Sequence, residues 1–537
     1  MTHHFLGIDV GTASARAGLF DERGKLLASA KADIELWHEA GGVVEQSSSD
    51  IWRAVCATAR KAVLDAGVPA ESVAGIGFDA TCSLVVLGEG GKPLPVGPSG
   101  DPERNIIVWM DHRATEQARR INHTGQEVLN YVGGAISPEM ETPKLLWLAE
   151  KVPATFANAW QFMDLADFLT WKATDSLARS VCTVTCKWTY LAHEKRWDET
   201  YFRKVGLGTL ADEAFRRIGT EILPGGTPLK GGLTAAAAEE LGLAPGTPVA
   251  AGLIDAHAGG IGTVGARGGT GSVLTRMAYV FGTSACTMST TAEPAFVQGV
   301  WGPYFSAMIP GLWLNEGGQS AAGAAIDHLV RLHPAAVDAS KLARESGTSL
   351  SHWLSLEAER RGGASAATDL VGELHVVPEF LGNRAPFADP DARGLIAGLG
   401  MDTGLDSLVA LYLAGICGLG YGARQIVRSL QEKNVPTDTI VVSGGAGQSP
   451  LVRQLLADTT GKTVAATTSE EPVLLGSAML GAVASGHYHD LGEAMLAMSE
   501  IGETYQPNPS SAAWHERRFK AFELLQQAAR AIRSGSF

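Results

Sequence analysis

Two aspartates stand at the ends of apolar runs. Asp9 follows residues 5–8 in GIDVGTASARAGLFD, and Asp255 closes residues 249–254 in LIDAHAGG. A carboxylate so placed can accept a proton from an attacking hydroxyl or hold a hard cation. It can equally cap a helix, and one residue can do both. Two Gly-Thr turns accompany them: Gly11-Thr12 after Asp9, and Gly282-Thr283-Ser284 in FGTSACT. Glycine turns bring backbone N–H groups close to phosphate oxygens, and hydroxyls add donors. Either turn alone is an ordinary hairpin corner. As a pair, one at the start of each half of the chain, they read as a phosphate clamp.

A third segment, SGGAGQSPLVRQLLADTTGK, runs from 443 to 462. Its strand ends in glycines and a helix follows, so Gly444, Gly445, Ala446 and Gln448 could admit a flat ring or a phosphate near a helix N-terminus. The spacing is not G-x-G-x-x-G, and no Walker loop is present, so neither a dinucleotide site nor a P-loop is supported. Lys187 stands beside Trp188 in an apolar segment, either as a fixed donor or as a snorkelling surface lysine. Glu316 sits between Asn315 and glycines, either in a pocket or as a solvated loop carboxylate. His257 has no HExxH-like surroundings and reads as structural, or as support for a neighbouring site residue, rather than as a metal ligand.

The elements that must position these groups are legible from periodicity. Residues 5–10, 15–20 and 25–32 predict a three-strand meander, 47–64 a helix, and 73–78 and 84–87 buried strands. Residues 88–105 predict a Gly/Pro loop. The glycine-rich 265–272 predicts a flexible connection and the main boundary. Strand, Gly-Thr turn and strand then recur at 277–289, a weak internal repeat that implies two related α/β domains facing one another. A long helix over 405–430, a strand at 439–442 and a helix at 451–460 follow. Apolar spacing at Phe522, Leu525, Ala529 and Ile532 predicts a closing helix.

At 537 residues, two or more domains are expected. The net charge of −14, with no dense Lys/Arg run, excludes nucleic acid as the main partner. The apolar run near Phe5 is too short for a signal peptide, and no uninterrupted apolar span appears long enough to cross a bilayer. Six cysteines are sparse for this length and fit reduced thiols in the cytoplasm. Cys182 and Cys186 form a C-x3-C pair without a second pair, which disfavours zinc.

Taken together, these motifs resemble the FGGY carbohydrate kinases of the actin–hexokinase–chaperone ATPase superfamily. GIDVGTASAR, VWMDHRA, PKLLWL, LIDAHAGG, FGTSACT, NEGGQSA, FLGNRAPFADPDARGLIAGL and SGGAGQSP occur in the family's order over nearly the whole chain. TCSLV, within residues 79–85, and TVTCKWTY, 183–190, are similar to the D-ribulokinase group. Two positions depart from the family signatures: Glu141 replaces a small residue, and Ala414 an acidic or amide one.

The resemblance implies two actin-like (ribonuclease H-like) domains, 1–265 and 266–537, with a catalytic cleft between them. It implies ATP and Mg2+, Asp255 as the catalytic base and Asp9 as the magnesium carboxylate. Gly11, Thr12 and Gly282 to Ser284 would be the phosphate hairpins, and Gly444, Gly445, Ala446 and Gln448 the adenosine stretch. Lys187, Glu316, Asp255 and the wall Thr81, Cys82 and Ser83 would take the sugar. Cys82 would pack against that sugar rather than act as a nucleophile. The expected product is D-ribulose 5-phosphate, with L-ribulose, another pentulose or a pentitol as alternative substrates. A sugar sensor without catalysis is a more remote alternative, against which the intact Asp9, Asp255 and both hairpins stand. A homodimer is expected by family analogy alone.

Overall fold

The computed structural model describes residues 3–535. Strands β1 (His4–Val10), β2 (Ser14–Asp21) and β3 (Leu26–Asp33) form the antiparallel meander. Helix α1 (Ser48–Ala66) begins where the Ser47 hydroxyl accepts a hydrogen bond from the Asp50 N–H, and it stops at the left-handed Gly67. Strand β4 (Val73–Ala80) returns parallel to β1. A long excursion over 81–252 follows, carrying helix α2 (Val181–Trp188) and three strands of a side sheet that two short strands at 37–46 complete. It ends in β5 (Leu253–Ile254), parallel to β4, which feeds directly into helix α3 (Asp255–Val264). Only the last two residues of the expected 249–254 strand pair as a strand; Val249 makes an isolated bridge to Ile76.

The second half repeats this plan. Strands β6 (Arg276–Phe281) and β7 (Ala285–Thr291) form the second hairpin, followed by β8 (Trp301–Phe305) and β9 (Trp313–Gln319). Helix α4 (Leu405–Gln431) leads to β10 (Thr439–Ser443), helix α5 (Pro450–Thr460) to β11 (Thr463–Thr467), and helix α6 (Pro472–Ala484) to β12 (Ile501–Tyr505). Helix α7 (Ala512–Ser534) closes the chain. The first sheet has the order β5-β4-β1-β2-β3, and the second β8-β9-β7-β6-β10-β11-β12. The central strands therefore share one order and one pattern of directions, two antiparallel pairings followed by two parallel ones. The weak repeat in the sequence is a repeated topology.

Helix α4 is long and apolar enough to cross a bilayer, which the sequence reading did not anticipate. Yet 78% of its most apolar window is buried inside the molecule, where it forms the core of the second half. Helix α6 is apolar on all sides and is accordingly covered on all sides. It lies between the first sheet and α3. Glycine permits the contact: a Cβ on Gly77 would meet the Ser477 carbonyl oxygen at 1.9 Å, and one on Gly476 the Ala258 oxygen at 1.9 Å. A helix from late in the chain thus braces β1 and β4 from below and fixes their ends.

The 265–272 connection is held in place. The Arg276 guanidinium donates to the carbonyls of Ala266 (2.6 Å), Thr270 (2.9 Å), Val264 (3.2 Å) and Gly268. The chain wraps one side chain instead of running free.

Candidate active site

A cavity of about 800 Å³ opens between the two halves. Register sets its floor. Asp9 on β1 lies opposite Asp79 on β4, and Asp79 lies opposite Leu253 on β5, two residues before Asp255. Three carboxylates therefore gather at the C-terminal ends of adjacent parallel strands, where open α/β sheets place their ligands.

The two hairpin corners face the cavity from opposite halves. Gly11 and Thr12 line it on one side, and Gly282, Thr283 and Ser284 on the other. The Gly11 N–H donates to Ser14 O at 3.0 Å, and the Gly282 N–H to Ser284 O at 2.9 Å. Thr12 is anchored twice: its hydroxyl accepts from Trp109 Nε1 (3.0 Å) and its carbonyl from Gln46 Nε2 (2.8 Å). The Thr283 carbonyl accepts from the N–H groups of Ala322 and Ala324. Gly444, Gly445 and Gln448 line the same wall as the second hairpin. Ala446 contributes backbone to the turn Gly445–Gln448, and α5 starts behind it with Ser449 as its cap.

The three carboxylates differ in environment: Asp9 and Asp255 line the cavity, and Asp79 is buried beside them. Asp9 Oδ2 accepts from Arg16 Nε at 2.8 Å, and Arg16 reaches on to Glu471 at 2.9 Å, tying β2 to the start of α6. Burial, and then the Asp9 charge, push the Asp79 carboxyl well above its ordinary range, although the Ser477 hydroxyl donates to it. Asp79 Oδ1 is buried and has no hydrogen-bond partner among the described residues. Burial, and then Asp9, also raise Asp255 to about 6, a value matched to general-base work near neutral pH. Its Oδ1 accepts from the Ala256 N–H at 2.7 Å, which fixes the carboxyl at the helix start.

Deeper in, the cavity becomes a compartment of paired charges around an indole. Lys187 Nζ lies 3.7 Å from Glu316 Oε1 and 4.5 Å from the centre of the Trp301 ring. Arg384 lies over the same ring at 5.3 Å, with its Nη2 3.7 Å from Glu139 Oε2. Burial alone would raise Glu316, but Lys187 and then His257 hold it down at about 2. Burial opposes the charge on Lys187 as well, and Glu316 holds that pKa well above the ordinary lysine value. Thr81 and Cys82 line this compartment. Ser83 lies behind it, fully buried, its oxygen 3.3 Å from Thr81 Oγ1 and accepting from the Trp109 N–H at 3.2 Å.

The cleft thus brings together Asp9, Asp255, both hairpins, Gly444, Gly445, Gln448, Thr81, Cys82, Lys187 and Glu316, and sets Ser83 in the supporting layer. Sequence reasoning assigned no role to Arg16, Glu139, Trp301, Arg384 or Glu471, which also line it. A signal existed for two of them. Arg16 ends the quoted GIDVGTASAR, and Arg384 lies inside FLGNRAPFADPDARGLIAGL.

Family models match both halves: the N-terminal domain of the FGGY family of carbohydrate kinases over residues 4–262, and its C-terminal domain over 277–485. An FGGY carbohydrate kinase domain-containing protein of Homo sapiens is 44% identical over 97% of this chain and 96% of its own length. A D-ribulokinase of Saccharomyces cerevisiae is 36% identical over 90% of this chain and 72% of its own length. The fold matches ligand-bound xylulose kinase from Lactobacillus acidophilus with a TM-score of 0.79 at 20% identity, covering 98% of this chain and 99% of that one. Two repeated α/β halves, a polar cleft between them and these matches have one meaning: the chain belongs to the FGGY family of carbohydrate kinases and is an ATP-dependent sugar kinase.

Proposed function

We propose that this kinase transfers the γ-phosphoryl group of ATP to the 5-hydroxyl of D-ribulose. The similarity to a D-ribulokinase supports the substrate. The observation that carries the reading is the position of Asp255, on the cavity floor with the hairpin corners on one side and the Lys187–Glu316 compartment on the other. A pentulose needs a few fixed donors and acceptors for its hydroxyls and carbonyl, and Lys187, Glu316 and Arg384 supply them beside the Trp301 ring.

In this mechanism Asp255 orients the sugar hydroxyl and takes its proton as the oxygen bonds to the γ-phosphorus. The bond from that phosphorus to the bridging β,γ-oxygen breaks, and ADP leaves. Amides and hydroxyls of the hairpin corners, at Thr12 and at Thr283-Ser284, stabilise charge on the moving group, while the Gly11 and Gly282 N–H groups close the turns. Gly444, Gly445, Ala446 and Gln448 hold the adenosine. Carboxylate oxygens are magnesium's preferred donors, and Asp9 would hold the ion that neutralises the β- and γ-phosphates. Closure of the halves, 1–265 on 266–537, excludes water as a competing acceptor.

Asp255→Asn tests the base. Sugar binding should survive, and kcat should fall by about 100-fold or more, as expected for loss of a general base. A near-normal kcat overturns the assignment. A panel of pentuloses and pentitols compared by kcat/KM tests the substrate, and a marked preference for L-ribulose overturns D-ribulose.

A further inference from the structure

Behind Glu316, outside the cavity lining, three ligand groups of another chemical kind meet. Cys182 and Cys186 stand about one turn apart on α2, His257 comes from α3, and all three side chains are fully buried. One sulfur or nitrogen atom from each lies within 4.8 Å of the other two. His257 Nδ1 is 2.9 Å from Cys182 Sγ, and its Nε2 is 3.4 Å from Glu316 Oε2. A metal-ligating histidine characteristically turns one ring nitrogen to the ion and the other to a carboxylate, which fixes the tautomer. His257 turns Nδ1 to the sulfurs and Nε2 toward the Glu316 carboxylate, at ion-pair distance but without a formed hydrogen bond. The Ile254 N–H also points at Cys182 Sγ, at 3.4 Å, as a donor that favours a thiolate. Phosphoryl transfer to an alcohol needs none of these groups. The lone C-x3-C pair gave no zinc signature because the third ligand lies 75 residues beyond Cys182.

We propose that Cys182, Cys186 and His257 form a binding site for a thiophilic divalent cation of the zinc class. Two thiolates and an imidazole select a borderline-soft ion over magnesium, so the site is separate in chemistry from the carboxylate floor at Asp9. Zinc bonds of about 2.3 Å to sulfur and about 2.0–2.1 Å to nitrogen set two tetrahedral sulfurs about 3.8 Å apart and each sulfur about 3.5 Å from the nitrogen. The 2.9 Å contact between Cys182 Sγ and His257 Nδ1 opens by about 0.6 Å to meet that geometry, and no separation, all being within 4.8 Å, closes by more than about 1 Å. Three protein ligands leave a fourth position, as in open zinc sites. On binding, the Cys186 thiol loses its proton, and the proton shared between Cys182 and His257 Nδ1 leaves as well. Two protons pass to solvent, and His257 keeps its Nε2–H toward Glu316. The cation would therefore sit one residue removed from a carboxylate that faces the sugar compartment.

Reduced full-length protein, stripped with a chelator and desalted, is titrated with Co2+ and then Zn2+. The expected result is one equivalent of tetrahedral cobalt with a thiolate-to-cobalt charge-transfer band, displaced by Zn2+, and two protons released per ion. Cys182→Ser and Cys186→Ser should each weaken binding by about 100-fold or more, beyond the loss typical of outer-shell changes. Cys56→Ser, remote from the cluster, should leave it unchanged. If one serine variant fails to fold, the other, together with the wild-type spectrum and stoichiometry, decides. Absence of the charge-transfer band in wild type at metal excess, or its full persistence in a folded Cys182 or Cys186 variant, overturns the site. The readout needs neither sugar nor nucleotide, so it stands apart from the proposed reaction.

Discussion

Burying Lys187 and Glu316 together strips both of water, and each then depends on the other to stay charged. Lys187 lies over Trp301, and Glu316 meets both Lys187 and His257, so the pair is fixed before any sugar arrives. Replacing Glu316 with Gln keeps the size and removes the charge. Lys187 is then left buried without its carboxylate. The expected result is a rise in the sugar KM of about 10- to 100-fold, equivalent to about 1.4–2.7 kcal/mol, with the ATP KM changed less than about threefold. Steady-state kinetics with each substrate varied in turn checks this. An equal loss for both substrates would give Glu316 a purely structural role. From sequence alone Glu316 could be read as a pocket residue or as a solvated loop carboxylate. Its partners are 129 (316 − 187) and 59 (316 − 257) residues away, and residue type does not encode such distances.

Among elements, the hairpins and helices were legible because their periodicity is local. The Gly-Thr corners, the long helix α4 and the start of α5 lie where apolar spacing and glycines placed them. What covers each element was not legible, and α7 is an instance. Its apolar residues Phe519 and Phe522 pack on α4, and His515 Nδ1 lies 3.0 Å from the Tyr421 hydroxyl of that helix. Burial, and then the charges of Arg518 and Arg424, lower His515 to about 4. The unfolded chain takes up the same proton near pH 6.5. Between these values the unfolded state binds more protons, so this contribution is complete above about pH 6.5 and is lost as the pH falls toward 4. The loss is about 3 kcal/mol for the one residue by pH 4, of which about 2 kcal/mol is gone by pH 5. Wild type should therefore lose more thermal stability than His515→Gln on going from pH 7.5 to pH 5. Parallel Tm profiles of the two proteins would show that His515 is not the group responsible.

For the whole molecule, the repeat of two halves was visible in the sequence as two Gly-Thr hairpins, and the structure extends it to a common strand order. Beyond the apolar packing of α6 on the first sheet, the polar coupling between halves was invisible, because it runs through single long side chains. Arg16 joins β2 to Glu471, and Arg384 joins Glu139 to the Trp301 face. Arg276 is the third case. The glycines of 265–272 read as slack, yet the side chain at the start of β6 collects four carbonyls from them and from the end of α3. A guanidinium suits this task because its planar fork presents several fixed donors at once. Met at 276 preserves the stem and removes every donor, leaving partly buried carbonyls unpaired at about 1–3 kcal/mol each before relaxation. Arg276→Met should therefore lower Tm by several degrees and open a protease-sensitive site within 265–275. If closure excludes water as proposed, the variant should also hydrolyse more ATP per sugar phosphorylated than wild type. Arg276→Lys should fall between the two, since one ammonium cannot reach all four acceptors. Mass-spectrometric mapping of limited-proteolysis fragments, with ADP and sugar phosphate measured in the same reactions, checks both halves of the expectation. Unchanged cleavage together with an unchanged ratio would mean that the glycines, and not Arg276, set the path of the connection.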